Sequence, residues 1–248
     1  MKIDEIYHAA AYKHVSFGEQ NPYSMIKNNI FGTKLCLEAA CEAKVETFVL
    51  ISTDKAVRPT NIMGASKRLA EMYCESLNTE HQTKFIITRF GNVLGSNGSV
   101  IPLFKKQLNN GGPITVTHPE VTRFFMTIQE ACQLVLEASS MGNGGEIYVF
   151  DMGKSIKIID LAHKMIQLAG LKVNADIEVK FTGLRPGEKM FEETLNKNEI
   201  IKIGVIYKGE SDTTVVDVPI KYSYWRQLNA KLMAKTMEMQ SGQQQFAC

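Results

Sequence analysis

Apolar residues along this chain recur in two patterns. Thr47-Phe-Val-Leu-Ile51, Lys84-Phe-Ile-Ile-Thr-Arg89 and Glu146-Ile-Tyr-Val-Phe150 are short, nearly continuous runs rich in β-branched and aromatic residues, as expected of parallel strands covered on both faces. Helical periodicity fills the intervals. One pattern opens at Asn21-Pro22 and runs through Asn28, Ile30, Leu35, Leu37 and Ala40 to about Lys44; others span Met63–Leu77 and Val100–Leu108. A capping box, Thr127-Ile-Gln-Glu130, starts a fourth that ends near Ser139. Met1–Tyr7, Ile114–Thr117 and Ile177–Thr182 read as short strands, and Ser155 is expected to cap a helix from Ile158 to Ala169 with Gly170 just past its end. Farther on, 200–207 reads as a strand and 221–239 as a helix in which Met233, Met237 and Met239 pack, followed by a frayed Gln-rich end. Strands alternating with helices as far as residue 151 predict an α/β fold with a doubly wound parallel sheet, a smaller lobe over 152–240 and a tail over 241–248.

Polar residues concentrate behind the strand that ends at Ile51. Ser52-Thr-Asp-Lys-Ala-Val-Arg-Pro-Thr-Asn-Ile-Met-Gly-Ala-Ser-Lys67 places hydroxyls, a carboxylate and amines at a strand's carboxyl end, where open α/β sheets bind ligands. Met63 and Lys67, four apart, share one helical face. On residue chemistry alone, Asp54-Lys55 reads more readily as a solvated surface pair and the Gly- and Asn-rich stretch 90–98 as a turn, while Ala9–Ala11 reads equally as tight packing or as room for a ligand beside the backbone.

The chain has 248 residues, 44% hydrophobic and 22% charged, with a formal charge of +2. That size supports a sizeable core, and scattered Lys and Arg imply no nucleic-acid partner. The five cysteines, Cys36, Cys41, Cys74, Cys132 and Cys248, lack zinc-site or redox spacing, so most are expected to be small core residues and no metal is implied. No signal-peptide pattern or membrane-length apolar run is found, so a cytoplasmic location is expected. A Gly-x-Gly-x-x-Gly turn is absent, since Gly91, Gly95 and Gly98 have the wrong spacing.

Seven pieces occur in order between residues 5 and 195: His8-Ala-Ala-Ala-Tyr-Lys-His-Val15, Asn28-Asn-Ile-Phe-Gly-Thr33, Ser52-Thr-Asp-Lys-Ala56, Asn61-Ile-Met-Gly-Ala-Ser-Lys67, Arg89-Phe-Gly-Asn-Val-Leu-Gly-Ser96, Thr122-Arg-Phe-Phe-Met126 and Arg185-Pro-Gly-Glu-Lys189. In these the sequence resembles the extended short-chain dehydrogenase/reductases, and within them the nucleotide-sugar 4,6-dehydratases of capsule, flagellin-glycan and O-antigen synthesis. The sheet would then be Rossmann-like. Residues 1–151 would form a partial dinucleotide-binding domain carrying the catalytic residues, and 152–240 a substrate-binding lobe.

The resemblance carries departures. Met63 stands where the superfamily has tyrosine, as it does in the long, membrane-associated branch of the dehydratases, and Ser16 stands where the family usually has proline. In the family, the half of the nucleotide fold with the glycine-rich turn precedes the equivalent of residue 5, so the chain is expected to be N-terminally truncated, entering at the fourth strand and binding dinucleotide weakly or not at all in isolation.

What the resemblance implies is a UDP-N-acetylhexosamine 4,6-dehydratase using NAD or NADP. Catalysis would fall to Thr53, Asp54, Lys55, Met63 and Lys67: Thr53 bonding the carbon 4 oxygen, Asp54 protonating the departing carbon 6 hydroxyl, and Lys55 removing the carbon 5 proton with a pKa lowered by burial or by Lys67. Ala9, Ala11, Tyr12, Lys13, Asn28, Ser52 and Lys67 would hold the cofactor, and Asn92, Arg123, Arg185 and Glu188 the UDP-sugar. Subunit pairing through the helices over 21–43 and 63–77 would make a homo-oligomer, unless a second chain supplies the missing half. Two alternatives are a nucleotide-sugar 4-epimerase and a non-catalytic remnant or split subunit.

Overall fold

The computed structural model describes residues 2–150 and 152–193, and the backbone of 203–206. A five-stranded parallel sheet runs in the order β1 (Glu5–His8), β2 (Thr47–Thr53), β3 (Lys84–Phe90), β8 (Ile147–Phe150), β11 (Ile203–Ile206). The expected strand over 200–207 is therefore present, while the helix over 221–239 with its methionines, the Gln-rich end and Cys248 lie outside the described residues.

The double winding follows from the two-residue period of the strands. Phe48 and Leu50 of β2 and Phe85 and Ile87 of β3 turn to one face, into a cluster with Leu37, Leu69, Cys74 and Leu77. Val49 and Ile86, one residue out of phase, turn to the other face and meet Val135, Ala138, Tyr148 and Phe150. Both strands are thus buried on both sides, which is why they read as unbroken apolar runs. Each fully buried Phe, Leu or Ile here contributes about 2 kcal/mol of transfer free energy.

Helices on the first face are α1 (Val15–Gln20), α2 (Pro22–Ile26), a π-helical segment Lys27–Gly32, α3 (Thr33–Glu42) and α4 (Ile62–Leu77). The long helix expected from Asn21 to Lys44 is therefore present as one continuous run from Pro22 to Glu42 with a π turn in its middle, and α1 is additional. A helix α6 (Ile128–Met141) covers the other face and begins at the expected capping box: Thr127 Oγ1 accepts from Glu130 N, and Glu130 Oε2 accepts from Thr127 N. Of the four cysteines described, only Cys74 is buried; Cys36 on α3 and Cys132 on α6 are exposed, because each falls on its helix's solvent stripe.

A third cluster lies beyond the sheet. It joins α5 (Val100–Asn109), β5 (Ile114–Val116), α7 (Ile158–Leu168) and β10 (Val179–Phe181) through Phe104, Ile114, Val116, Ile158, Ala162 and Ile166. Residues on both sides of position 151 contribute to it. Short pairings tie it to the sheet: β4 (Asn92–Val93) lies parallel to β7 (Phe125–Met126), and β6 (Thr122–Arg123) antiparallel to β9 (Ile156–Lys157). Lys157, not Ser155, is the N-cap of α7, because Ile156 and Lys157 are held extended against β6 and the helix starts only afterwards.

Candidate active site

β2 runs two residues farther than its apolar core, so Ser52 and Thr53 are still strand when the chain turns through a 3-10 segment, Asp54–Ala56. Helix α4 returns immediately beneath this turn. Gly64 makes that approach possible, since a Cβ there would lie 2.2 Å from the Lys55 carbonyl oxygen. Two side chains satisfy the opening amides of α4: Asn61 Oδ1 accepts from Gly64 N at 2.7 Å and Glu19 Oε1 from Ile62 N at 2.9 Å.

The turn and the helix enclose a cleft of about 360 Å³ at the carboxyl ends of β1, β2 and β3. Of the residues predicted from the sequence, Thr53, Lys55, Met63, Lys67, Ser52, Ala9, Ala11, Tyr12, Lys13 and Asn92 all line it. A second cleft of about 190 Å³ adjoins it, sharing Lys55, Asn92 and His14, and contains Arg123, Arg185 and Glu188.

Asp54 is no solvated surface residue; it is 1% exposed. Its Oδ1 accepts from Thr53 Oγ1 at 3.0 Å and from Lys55 Nζ at 2.9 Å, whereas Oδ2 is buried without a partner among the described residues. The backbone of Gly91 comes so near that a Cβ there would stand 3.1 Å from Oδ2. Lys55 Nζ also donates to Asn92 Oδ1 at 3.1 Å and pairs with Glu192 Oε1 at 3.3 Å.

These partners reverse one expectation. Burial pushes Lys55 down, but the Asp54 and Glu192 carboxylates outweigh it and hold the ammonium above its ordinary value of 10.5. Lys67 behaves as anticipated for a buried amine. It donates to the Ile51 carbonyl, and burial lowers its pKa to about 8 against the opposing pull of Glu71.

Two of the sequence-predicted groups are arranged otherwise than the sequence suggested. Asn28 does not line the cleft. Asn29, 0% exposed, reaches inward instead: its Oδ1 accepts from Tyr12 N at 2.8 Å and its Nδ2 donates to Tyr12 O at 2.9 Å and to Ser66 Oγ at 3.0 Å. The π-helical turn takes one more residue per hydrogen-bonded ring than an α turn, which displaces the inward face. Arg123 and Glu188 are turned on each other at 2.9 Å, with Arg123 Nε 3.6 Å from Glu192 and Glu188 Oε1 also accepting from Thr117. Arg185 is exposed at the rim, and its guanidinium has no partner among the described residues.

Several site residues escaped the sequence reading. Glu192 is one. Beneath Ser52 lies a buried network in which Glu71 accepts from Arg89 Nε at 2.8 Å, Arg89 Nη2 at 2.6 Å, Arg68 at 3.0 Å and Ser52 Oγ at 2.6 Å. Arg89 opened a recognised motif, but nothing in the local pattern of α4 distinguishes Glu71 from a solvent-facing glutamate. Among the described residues no group of His, Cys, Asp or Glu is arranged to hold a metal ion, and no helix is long and apolar enough to cross a membrane.

Comparison with known proteins shows the family to which the chain belongs. Residues 1–208 match the family model described as polysaccharide biosynthesis protein. The capsular polysaccharide biosynthesis protein CapD of Staphylococcus aureus is 58% identical over 211 residues, covering 84% of this chain and 35% of that protein. The UDP-glucose 4-epimerase of Rickettsia rickettsii is 38% identical over 203 residues, covering 81% and 58%. The inverting UDP-N-acetylglucosamine 4,6-dehydratase of Campylobacter jejuni is 36% identical over 201 residues, covering 79% and 58%. Among solved structures, Pen from Bacillus thuringiensis superposes with a TM-score of 0.75 at 40% identity, covering 81% of this chain and 62% of that one. The chain thus spans about a third of the length of the Staphylococcus relative. It belongs to the polysaccharide biosynthesis protein family, within the extended short-chain dehydrogenase/reductases that include the nucleotide-sugar dehydratases.

Proposed function

We propose that this chain is the catalytic and sugar-binding portion of a UDP-N-acetylhexosamine 4,6-dehydratase. The observation that carries the reading is the ion pair of buried Asp54 with Lys55 beside Thr53: Lys55 and Thr53 line the cleft, and Asp54 Oδ2 is buried behind them without a partner among the described residues. Loss of water from a sugar needs an acid for the departing hydroxyl and a base for the adjacent carbon, side by side. An epimerase, which only oxidises and reduces carbon 4, has no task for either.

A nicotinamide and its ribose fit the floor of the larger cleft, where the small side chains of Ala9 and Ala11 leave room and Lys67 stands one helical turn from Met63. Bound there, NAD or NADP would take up the carbon 4 hydride and return it at carbon 6. Lys67, buried and cationic at neutral pH, would orient the ribose and favour negative charge developing at the carbon 4 oxygen. Thr53 would donate to that oxygen. Met63 exchanges no proton, so it would serve as an apolar wall that excludes water. Passage of the Lys55 proton to Asp54 along their 2.9 Å hydrogen bond would arm both groups: Asp54 would then hand that proton to the departing carbon 6 hydroxyl, and the Lys55 amine would take the one on carbon 5. Arg185 and Arg123 would receive the diphosphate, the latter exchanging Glu188 for phosphate oxygens.

The test is a chimera that carries this chain behind the amino-terminal part of the Staphylococcus relative, supplied with UDP-N-acetylglucosamine and NAD or NADP. A product one water lighter, with a 4-keto group, is expected, and Asp54→Asn should lower its rate by about 10²–10⁴-fold while leaving the circular dichroism unchanged. Formation of the carbon 4 epimer instead would overturn the assignment.

A further inference from the structure

Glu192 is a buried carboxylate with an unusual set of neighbours. Its side chain is 2% exposed, on a segment of the lobe that closes over the turn after β2. Oε1 lies between two cations, 3.3 Å from Lys55 Nζ and 3.6 Å from Arg123 Nε, and Oε2 is buried without a partner among the described residues. The Lys55 ammonium donates to two acceptors, Asp54 Oδ1 and Asn92 Oδ1, and forms an ion pair with a third, Glu192 Oε1. An amine held in this way cannot act as a base until one of those acceptors lets go. Asp54 is adjacent in sequence and fixed by Thr53, and Asn92 is neutral. Glu192 is the only one of the three that comes from the lobe.

We propose that Glu192 is the positioning residue that governs the proton on Lys55: it holds the ammonium in the ligand-free site, and its release, controlled by Arg123, lets that proton pass to Asp54 along their hydrogen bond and so yields the amine. The inference rests on Lys55 being the base of the proposed reaction. Every charged group packed around Lys55 bears on the sign. Asp54 and Glu192 favour the ammonium; Arg123, itself engaged with Glu188, opposes it, as does Lys189 across the smaller cleft. His14 lines both clefts beside Lys55, and Lys67 lines the larger. Removing the Glu192 charge leaves Asp54 alone against burial, so the lysine must titrate at lower pH. Removal of the Arg123 charge acts in the opposite direction.

Direct titration of the Lys55 side chain by heteronuclear NMR, with its signal assigned through Lys55→Arg, tests this on the chain itself and needs neither cofactor nor turnover. Glu192→Gln should move the Lys55 midpoint to lower pH, and Arg123→Gln should move it to higher pH; Glu192→Asp should restore the wild-type midpoint. Arg123→Gln keeps the proposal testable should Glu192→Gln fail to fold. In the active chimera, Glu192→Gln should shift the acidic limb of the kcat/KM profile downward, whereas a merely structural loss would lower the rate at all pH values alike. An unmoved Lys55 midpoint in either charge-removing variant overturns the proposal. A chimera that makes no keto sugar while the midpoints move as stated would instead sink the functional reading and leave the Glu192–Lys55 linkage intact.

Discussion

Glu71 lies wholly buried between three elements, bridging Arg89 of β3, Ser52 of β2 and Arg68 of its own helix. Burial disfavours its charge, yet the two guanidiniums and the Ser52 hydroxyl more than compensate and hold its carboxyl down to about 2. A carboxylate lowered in the folded state stabilises above its ordinary value of 4.5, and that contribution is lost as pH falls from 4.5 to about 2. The linked stability is about 3 kcal/mol. Glu71→Gln should therefore flatten the acid limb of the unfolding free energy between those pH values, and Arg89→Met should lose about 3 kcal/mol in urea unfolding because it leaves the buried Glu71 charge with only the part-exposed Arg68 and the Ser52 hydroxyl as partners among the described residues. Combining Arg89→Met with Glu71→Leu should recover much of that loss; a double variant as unstable as Arg89→Met alone would mean the ion pair is not the cause. Lys67 has the opposite sign. Its depressed value of about 8 makes the charged form a cost below that pH, relieved as pH rises from about 8 toward 10.5.

At the scale of elements, the start of α4 sets the geometry of the site. Asn61 does two jobs with two ends of one amide: Oδ1 caps the helix and Nδ2 donates to the Gly187 carbonyl at 3.0 Å. Asn61→Ala should cost about 1 kcal/mol of stability from the cap alone. Asn61→Asp keeps the cap oxygen but loses the donor, so it should retain most of that stability while loosening the segment around Gly187. Equal loss in the two variants, measured by urea unfolding, would show that the cap is not the important contact. Element by element, legibility followed locality. The Thr127–Glu130 capping box could be read directly because its reciprocal bonds join residues three apart. Ser155 was misread as a cap because the pairing of Ile156–Lys157 with Thr122–Arg123 is remote in sequence. The same holds for Asn28 and Asn29: a periodicity of 3.6 residues cannot show where a π turn will displace the inward face.

On the scale of the whole molecule, the two clefts meet because the segment 185–193 docks on the loop between β2 and α4. Thr60 Oγ1 and Asn61 Nδ2 both donate to Gly187 O, Lys189 Nζ donates to Val57 O at 2.7 Å, and Arg58 pairs with Glu193. Gly187 is required twice over: its φ is +74°, and a Cβ would stand 2.6 Å from that of Asn61. Gly187→Ala should leave the sheet folded yet shift the segment that carries Arg185, Glu188 and Glu192. Calorimetry should then show UDP binding weakened about tenfold or more, corresponding to at least ~1.4 kcal/mol. Unchanged affinity would mean that the smaller cleft does not hold the nucleotide.

What the sequence determined by itself is whatever depends on near neighbours or on period. The apolar runs specify parallel strands buried on both faces, the caps and glycines punctuate the helices, and the motif Ser52–Lys67 places hydroxyl, carboxylate and amines at a strand's carboxyl end. Tertiary structure decided the electrostatics. Lys55 lies 137 positions in sequence from Glu192, and the charge that Lys55 keeps depends on how that distant carboxylate and Arg123 are brought against Asp54. The reason is physical: a pattern reports which face of an element is apolar, whereas the pKa of a buried amine is set by every charge within a few ångströms, whichever part of the chain supplies it.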